Sequence, residues 1–257
     1  MDYGLKGKVA LVTGTASQVG IGKAICLTLA QEGCDIVSTD INLEGAKKTA
    51  DAVKALGRKS IALQADVTKG ADVDAMVKSA LKEFSKIDIL VNNAGGNMIM
   101  GVPFVEQNSD MWHKDMALNL YGTMNCSKAV VPGMLERKYG KIINFSSIVA
   151  KLGLGGPGSY AASKAAVLSF TRGLASQLGP SNINVNAIAP GMVNTNFFSA
   201  LPKDVIPKMF DEVANMAPLK RNQDPSDIAN AVAFLSSDIS RNITGQCIQV
   251  DSGLVMF

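Results

Sequence analysis

Hydrophobic and polar residues alternate along the chain on the scale of whole secondary-structure elements. Short, continuous apolar runs predict buried strands, because a strand that is covered on both faces by helices has no polar face. Seven such runs occur, at 8–13, 35–39, 60–64, 88–91, 141–145, 183–189 and 246–250.

Amphipathic stretches of helix length separate these runs. They cover residues 20–32, 43–56, 71–84, 109–137, 159–178 and 225–236. Strands that alternate with helices predict a doubly wound α/β fold, in which a parallel sheet carries helices on both faces. The stretch 192–219 shows neither pattern, and its length favours a substrate lid over a plain connection. Since no linker or repeat interrupts the pattern, we expect a single domain over residues 1–257.

Composition and charge narrow the classes of function. The chain has 257 residues, of which 47% are hydrophobic and 18% charged, and its net charge is +3. No basic stripe for nucleic acid is visible, and no apolar run reaches the ~18 residues that cross a bilayer. The four cysteines and the single histidine, His113, have no metal-ligand spacing. From these observations we expect a protein that binds no metal, membrane or nucleic acid. Free thiols without an export signal also lead us to expect a cytoplasmic protein.

A glycine-rich turn follows the first predicted strand. Gly14, Gly20 and Gly22 lie between that strand and the first predicted helix. Glycine lets the backbone approach a pyrophosphate, whose charge is bound by free N–H groups at the helix N-terminus. The position of this turn in an alternating pattern predicts a dinucleotide site.

Asp40 closes the second predicted strand, 26 residues after Gly14. A carboxylate at this point accepts hydrogen bonds from both hydroxyls of an adenosine ribose and repels a 2′-phosphate. Residues 15–19 contain no Lys or Arg that would attract such a phosphate. Both features favour NAD over NADP. The alternative interpretation is that Asp40 caps the helix that starts near Leu43.

Small and polar residues also follow the third and fourth strands. Asp66 and Val67 come after the third strand, and 92–95 (Asn-Asn-Ala-Gly) after the fourth. Ligands of open α/β sheets bind at these carboxyl ends.

Tyr160 and Lys164 carry the candidate chemistry. They stand one helical turn apart on a predicted helix and therefore share a face. A phenol has an ordinary pKa of about 10, and a nearby ammonium lowers it by about 1–3 units. Ser147 follows the fifth strand, where its hydroxyl could hold a substrate oxygen. Asn119 is flanked by leucines in a predicted helix, so we expect it to point inward and to require a partner.

As a set, these motifs resemble the short-chain dehydrogenase/reductase family over essentially the whole chain. The shared segments are 13–22, 92–95, Asn119, Ser147, Tyr160, Lys164, 190–195 and 243–253. The resemblance implies a Rossmann-type sheet of about seven strands in the order 3-2-1-4-5-6-7. It also implies hydride transfer between an alcohol and a carbonyl, and a homotetramer built from the helices near 109–137 and 159–178 and the last strand.

The resemblance further implies a role for each residue. Tyr160 would be the acid–base, Lys164 would lower its pKa and hold the nicotinamide ribose, and Ser147 would bind the substrate oxygen. Asn119 would support a water relay to Lys164. Asp66 and Val67 would flank the adenine. The remaining cofactor contacts would come from Gly14, Ser17, Ile21, Asp40, Asn93, Ala94, Gly95, Tyr160, Lys164, Pro190, Val193 and Thr195.

One departure from the family concerns the glycine turn. Five residues separate Gly14 from Gly20, two more than is usual, which leaves open whether Ser17, Gln18 or Val19 contacts phosphate. A longer turn also resembles the enoyl-thioester reductases. Those enzymes place six residues between their tyrosine and lysine, whereas three separate Tyr160 from Lys164, so alcohol oxidation is favoured.

The segment 195–217 predicts an apolar wall for the substrate, because its sequence contains Phe197, Phe198, Leu201, Ile206, Met209 and Phe210. We interpret its cations, Lys203 and Lys208, and the following Lys220 and Arg221 as a solvated rim. The alternative is that they bind the phosphates of a coenzyme A or carrier-protein thioester. We therefore expect a secondary alcohol and its ketone, with a hydroxyacyl-CoA thioester as one candidate. The alternatives are a 3-oxoacyl-carrier-protein reductase, a polyol or sugar dehydrogenase, and an NAD-binding inactive partner subunit.

Overall fold

A parallel sheet forms the centre of the molecule. The computed structural model describes residues 2–152, 158–199 and 201–256. The described residues form a seven-stranded sheet in the order β3-β2-β1-β4-β5-β6-β7, and every strand pair is parallel. The predicted fold class and strand order are therefore confirmed. The strands are β1 (Val9–Thr13), β2 (Asp35–Asp40), β3 (Ser60–Gln64), β4 (Ile89–Asn92), β5 (Gly140–Phe145), β6 (Ile183–Pro190) and β7 (Cys247–Val250).

Helices cover both faces of this sheet. They are α1 (Ile21–Gln31), α2 (Leu43–Ala55), α3 (Gly70–Phe84), α4 (Ser109–Met116), α5 (Gly122–Arg137), α6 (Ser159–Leu178), α7 (Val205–Met216) and α8 (Pro225–Ser236). Alternate residues of β1 enter two separate cores. Ala10 and Val12 pack with α1 and α8, whereas Val9 and Leu11 pack with α3, α5 and α6. Burial on both faces is the reason that the strands read as unbroken apolar runs.

Two predicted elements differ from the structure. The stretch 109–137, predicted as one helix, is divided by a π-helical turn at Ala117–Tyr121 between α4 and α5. The irregular stretch 192–219 contains the twelve-residue helix α7. Apolar residues do recur there at helical spacing, at 206, 209, 210 and 213. However, none of the α7 residues is fully buried, because this apolar face borders a cavity rather than a core.

The four cysteines are unpaired, and the single histidine lies at the surface. Cys26, Cys34 and Cys126 are buried free thiols and Cys247 is half-buried. Burial raises the pKa of Cys34 and of Cys126 to about 12, which leaves both thiols protonated and unreactive. His113 lies exposed on α4, as expected. No helix in the described part of the chain is long and apolar enough to cross a membrane.

Candidate active site

A cavity of about 960 Å³ opens at the carboxyl ends of the strands. The segment that carries α7 forms one of its walls. The cavity brings together fifteen of the sixteen residues predicted for the site; they are Gly14, Ser17, Ile21, Asp40, Asp66, Val67, Asn93, Ala94, Gly95, Ser147, Tyr160, Lys164, Pro190, Val193 and Thr195. The remaining one, Asn119, does not line the cavity and lies fully buried behind it.

The glycine turn lies at one end of the cavity. Gly14 has a φ of +74°, and a Cβ atom there would lie 2.8 Å from Ala94 Cα, so only glycine fits between β1 and the loop after β4. Asn93 Nδ2 holds this turn by donating hydrogen bonds to the carbonyls of Thr13 (2.8 Å) and Gly14 (2.9 Å). Gly20 precedes α1, and no acidic residue lies in the first turn of that helix. The N-terminus of α1 therefore offers a favourable field to an anion.

The structure distinguishes the three residues of the longer turn. Ser17 lines the cavity. The Gln18 side chain is turned away, and its amide donates hydrogen bonds to the carbonyls of Ala16 (2.9 Å) and Gly45 (3.2 Å). Val19 is 60% exposed. Of these three side chains, only that of Ser17 borders the cavity, and its hydroxyl donates a hydrogen bond to Asn196.

Asp40 lies in the wall of the same end of the cavity. Its carboxylate accepts hydrogen bonds from the backbone N–H groups of Ala16 and Asn42, both at 2.9 Å. The cap of α2 is Asn42, whose side chain accepts from Gly45 N. The alternative interpretation of Asp40 as a helix cap is therefore wrong. The carboxylate is fixed at the cavity wall by two donors.

Asn119 has the inward orientation that its leucine neighbours predicted. Its Nδ2 donates hydrogen bonds to the carbonyls of Gly96 (2.9 Å) and Asp115 (3.0 Å), and its Oδ1 accepts from Gly96 N at 3.0 Å. Asn119 lies in the π-helical turn, which is often found at functional sites. The amide thus fixes the loop after β4 against the helix.

Lys164 and Tyr160 lie on one face of α6, as expected. Lys164 Nζ donates a hydrogen bond to the carbonyl of Phe145 at 2.9 Å and lies 5.7 Å from the centre of the Tyr160 ring. Burial lowers the pKa of Lys164 to about 8, against the opposing charge of Asp115. The buried ammonium therefore releases its proton far more readily than an exposed lysine.

The pKa of Tyr160 differs from the expectation. Burial raises it to about 12, a hydrogen bond with Ser147 opposes that rise, and the charge of Asp115 adds to it. The pKa thus moves in the direction opposite to the lowering expected from Lys164, because burial disfavours the charged phenolate. Ser147 nevertheless lines the cavity and lies in contact with the phenol.

Gly95 marks the point where two of these side chains converge. A Cβ atom on Gly95 would lie 2.8 Å from Asn119 Oδ1 and 2.9 Å from Lys164 Nζ. The glycine therefore allows the amide and the ammonium to approach the same point beside the cavity.

The far end of the cavity is mostly apolar. Four aromatic rings follow one another from Tyr160 into α7. The centroid distances are 6.0 Å from Tyr160 to Phe197, 5.1 Å from Phe197 to Phe198 and 5.9 Å from Phe198 to Phe210. Lys203, Lys208, Lys220 and Arg221 are all exposed and do not line the cavity. The remaining apolar lining includes Ile99, Met100, Val102, Val149, Leu152, Leu201, Met209 and Val213.

Two residues of the site escaped the sequence analysis. Asp115 stands in the charged run 112–115, which is typical of a solvent-facing helix, yet it is fully buried. Asn196 accepts a hydrogen bond from Ser17 at 2.9 Å and so joins the segment after β6 to the glycine turn. No spacing in the sequence relates either residue to its partners, since these contacts join distant elements.

The residues of the cavity fit a nicotinamide dinucleotide. The close approach allowed at Gly14 and the α1 N-terminus would hold the pyrophosphate, Asp40 the adenosine ribose, and Lys164 and Tyr160 the nicotinamide end. Among the described residues, no group of three His, Cys, Asp or Glu side chains could hold a metal ion.

Comparisons with known proteins agree with this geometry. A family model described as enoyl-(acyl carrier protein) reductase matches residues 14–255. The chain is 41% identical to the 3-oxoacyl-[acyl-carrier-protein] reductase of Staphylococcus epidermidis, over 97% of this chain and 99% of that protein. It is 37% identical to the (2S)-[(R)-hydroxy(phenyl)methyl]succinyl-CoA dehydrogenase subunit BbsD of Thauera aromatica, over 99% of both chains.

A solved structure extends the agreement to the whole fold. The 7α-hydroxysteroid dehydrogenase complexed with NADH and 7-oxo glycochenodeoxycholic acid superposes with a TM-score of 0.89 at 34% identity, and the match covers 98% of this chain and 96% of that one. The chain therefore belongs to the short-chain dehydrogenase/reductase family and is an NAD(P)-dependent oxidoreductase that acts on a CH–OH group.

Proposed function

We propose that the protein is an NAD-dependent dehydrogenase of a secondary alcohol that carries an apolar group, with a hydroxyacyl-CoA thioester as the favoured substrate. The observation that carries this proposal is the convergence of Ser147, Tyr160 and Lys164 at one wall of a cavity that ends at Asp40. When bound, the nicotinamide cofactor supplies the acceptor or donor of hydride.

Tyr160 is the acid–base of the proposed reaction. In alcohol oxidation the ionised phenol takes the proton of the substrate hydroxyl, and in ketone reduction the neutral phenol returns it. Ser147 touches the phenol and orients the substrate oxygen towards it. Positioned acid–base groups of this kind contribute about 10²–10⁴-fold to the rate.

Lys164 and Asn119 support this proton transfer. The ammonium of Lys164 favours the phenolate and holds the nicotinamide ribose, while its hydrogen bond to the carbonyl of Phe145 fixes its direction. Asn119 is the proposed anchor of a water relay to Lys164, because both side chains approach the same point beside Gly95.

The choice of NAD rests on Asp40 and its surroundings. Among the described residues that line the cavity, Lys164 at the nicotinamide end is the one cationic side chain. A 2′-phosphate at the adenosine end would therefore meet the carboxylate of Asp40 without a counter-charge. The side chain after Asp40, Ile41, is apolar and 64% exposed, and offers no charge either.

The substrate proposal rests on the far end of the cavity. The apolar lining and the run of rings from Tyr160 to Phe210 suit an aliphatic or aromatic acyl group better than a polyol. The exposed Lys203 and Lys208 would meet coenzyme A phosphates outside the cavity, in a segment around 192–219 that we propose as the lid. A 3-oxoacyl-carrier-protein reductase is the second candidate, favoured by the S. epidermidis relative.

The decisive experiment is a dehydrogenase assay with NAD and NADP in parallel. The panel contains aliphatic and phenyl-substituted 3-hydroxyacyl-CoA thioesters, the corresponding free acids as matched controls, hydroxysteroids and polyols. We expect turnover of a thioester with NAD and little with its free acid. Turnover of polyols alone, or of every substrate with NADP alone, would contradict the proposal. A 3-oxoacyl-carrier protein is assayed beside the panel with NADH and NADPH, and activity on it alone would favour the second candidate. NADH binding without turnover of any of these substrates would favour the inactive-subunit alternative.

We also propose a homotetramer in the cytoplasm. Tyr121 and Met124, near the start of α5, are 51% and 40% exposed, and Leu135 near its end is 40% exposed, which gives this helix an apolar surface that a second copy would cover. Light scattering coupled to size-exclusion chromatography tests the assembly, and a monomer at micromolar concentration would contradict it.

A further inference from the structure

Asp115 is a carboxylate in the protein interior. It lies on α4, is 0% exposed, and stands one helical turn before Asn119. A carboxylate leaves water only at a large cost unless hydrogen bonds or opposite charges replace its hydration. Among the described residues, no ion pair within 4 Å involves it. Hydrogen bonds to its two oxygens must therefore replace the lost hydration.

Each carboxylate oxygen has a single, short hydrogen bond to a different element. Oδ1 accepts from Met98 N at 2.8 Å, in the loop after β4. Oδ2 accepts from Ser159 Oγ at 2.7 Å, and Ser159 is the first residue of α6 and the neighbour of Tyr160. The main-chain carbonyl of Asp115 accepts from Asn119. One residue thus joins α4, the loop that carries Gly95 and the turn that carries Tyr160.

The position of this charge also suits the start of α6. That helix begins after Gly158, which has no side chain to cap it. A carboxylate near a helix N-terminus interacts favourably with the positive end of the helix dipole. Asp115 therefore stabilises the turn that places Tyr160 beside the cavity.

The ionisable groups that face Asp115 are the two proposed for the chemistry. From α6, Tyr160 and Lys164 both feel its charge, which raises the pKa of each. The loop 93–103 has no ionisable side chain, Tyr121 of the π-helical turn is exposed, and so are the other charged or titratable groups of α4, which are Asp110, His113 and Lys114.

We propose that Asp115 is a positioning residue of the reaction, which fastens the first turn of α6 to the loop after β4 and keeps a buried negative charge beside Tyr160 and Lys164. The inference rests on the proposed roles of those two residues. Its effect is to keep a proton on Lys164, against the burial that drives the proton off, so that an ammonium rather than an amine faces the nicotinamide ribose.

The test separates the charge from the tether. Asp115→Asn retains an oxygen that accepts from Met98 N and an amide that donates to Ser159 Oγ, but it removes the charge. Asp115→Ser is a second uncharged variant, should the amide impair folding. The probe is NADH, titrated by its fluorescence at a series of pH values. Asp110→Asn is the matched control, because Asp110 is an exposed carboxylate on the same helix.

We expect wild-type affinity for NADH to fall as pH rises through about 8, where Lys164 loses its proton. In Asp115→Asn the same fall should occur about one pH unit lower, since an adjacent charge shifts a pKa by about this much or more. In Asp110→Asn the midpoint should not move. Identical midpoints in the wild type and both uncharged variants would overturn the proposal.

Ser159→Ala tests the tether alone, because it removes one hydrogen bond and leaves the charge. We expect an unchanged NADH midpoint, together with faster hydrogen exchange at the amides of 162–164 and lower turnover of the substrate found in the panel. Unchanged exchange and turnover would refute the positioning role. The NADH titrations and the hydrogen exchange need no substrate, so these two readouts are independent of whether the proposed alcohol chemistry holds.

Discussion

Lys164 Nζ is hydrogen-bonded to the carbonyl of Phe145 at 2.9 Å and lies 5.7 Å from the centre of the Tyr160 ring. The ammonium therefore faces the edge of the sheet and the phenol together, from a buried position. Burial shifts both pKa values, upward for Tyr160 and downward for Lys164, because it disfavours the charged form of each group. This relationship leads to predictions for each residue that contributes to it.

Tyr160→Phe should lower kcat by about 10²–10⁴-fold, because the ring is kept and the proton carrier is lost. NADH affinity should change little. Steady-state kinetics with the panel substrate and an NADH titration measure the two effects. Tyr121→Phe is the control, since Tyr121 is 51% exposed and lies outside the cavity lining. Near-normal turnover in Tyr160→Phe would refute the acid–base assignment.

Lys164→Met should abolish activity and yet stabilise the fold at neutral pH. Lys164 keeps its proton up to about pH 10.5 in the unfolded chain but only up to about pH 8 in the folded one. Below pH 8, folding buries an ammonium at a cost of about 3 kcal/mol, which the variant avoids. The variant also lacks the hydrogen bond to Phe145, which costs it about 1 kcal/mol of stability. The net gain should be about 1–3 kcal/mol by urea unfolding.

The pH dependence of this gain checks its cause. Between pH 8 and 10.5 the unfolded wild type binds more protons than the folded one, so its free energy of unfolding rises with pH. The advantage of Lys164→Met should therefore shrink across this window, while effects of the other titrating groups cancel in the difference. Lys128→Met, at an exposed lysine of α5, should show no such trend. A constant difference between the wild type and Lys164→Met would contradict the assignment.

Gly95→Ala should reduce kcat by about 10-fold or more, because the added methyl group would press on Asn119 Oδ1 and Lys164 Nζ. Overpacking of this kind also lowers stability by about 1–3 kcal/mol. Gly96→Ala is the matched control, since the nearest atom to its Cβ is Leu118 Cδ2 at 3.7 Å. Kinetics and thermal unfolding of both variants decide the matter, and equal effects at the two positions would count against the convergence at Gly95.

Asp40→Asn should raise the ratio of kcat/KM for NADP to that for NAD by about 10–100-fold. The amide retains an acceptor for Ala16 N but no longer repels a 2′-phosphate, and one charge contact is worth about 1–4 kcal/mol near a protein surface. Asp66→Asn, at the other carboxylate of this end of the cavity, should weaken both cofactors alike. An unaltered ratio in Asp40→Asn would refute the basis for NAD selectivity.

The sequence by itself determined the doubly wound parallel sheet and most of the cavity, and the family resemblance implied the strand order. Continuous apolar runs report burial on both faces, and glycine and polar residues at strand ends report a ligand edge, because both signals arise from neighbours in the chain. Thus Gly14, Asp40, Tyr160 and Lys164 could be placed before any coordinates. Helix α7 was missed, because its apolar face borders a cavity and its segment was interpreted as a loop.

Only the tertiary structure decided the electrostatics of the site. The pKa of Tyr160 follows from burial and from Asp115, and neither depends on the spacing between Tyr160 and Lys164. The charged run 112–115 predicts that Asp115 lies at the surface. In the folded chain it is buried, because the loop after β4 and the start of α6 pack against α4 at this point. Burial and charge are properties of the space around a side chain, and that space is assembled from residues far apart in the sequence.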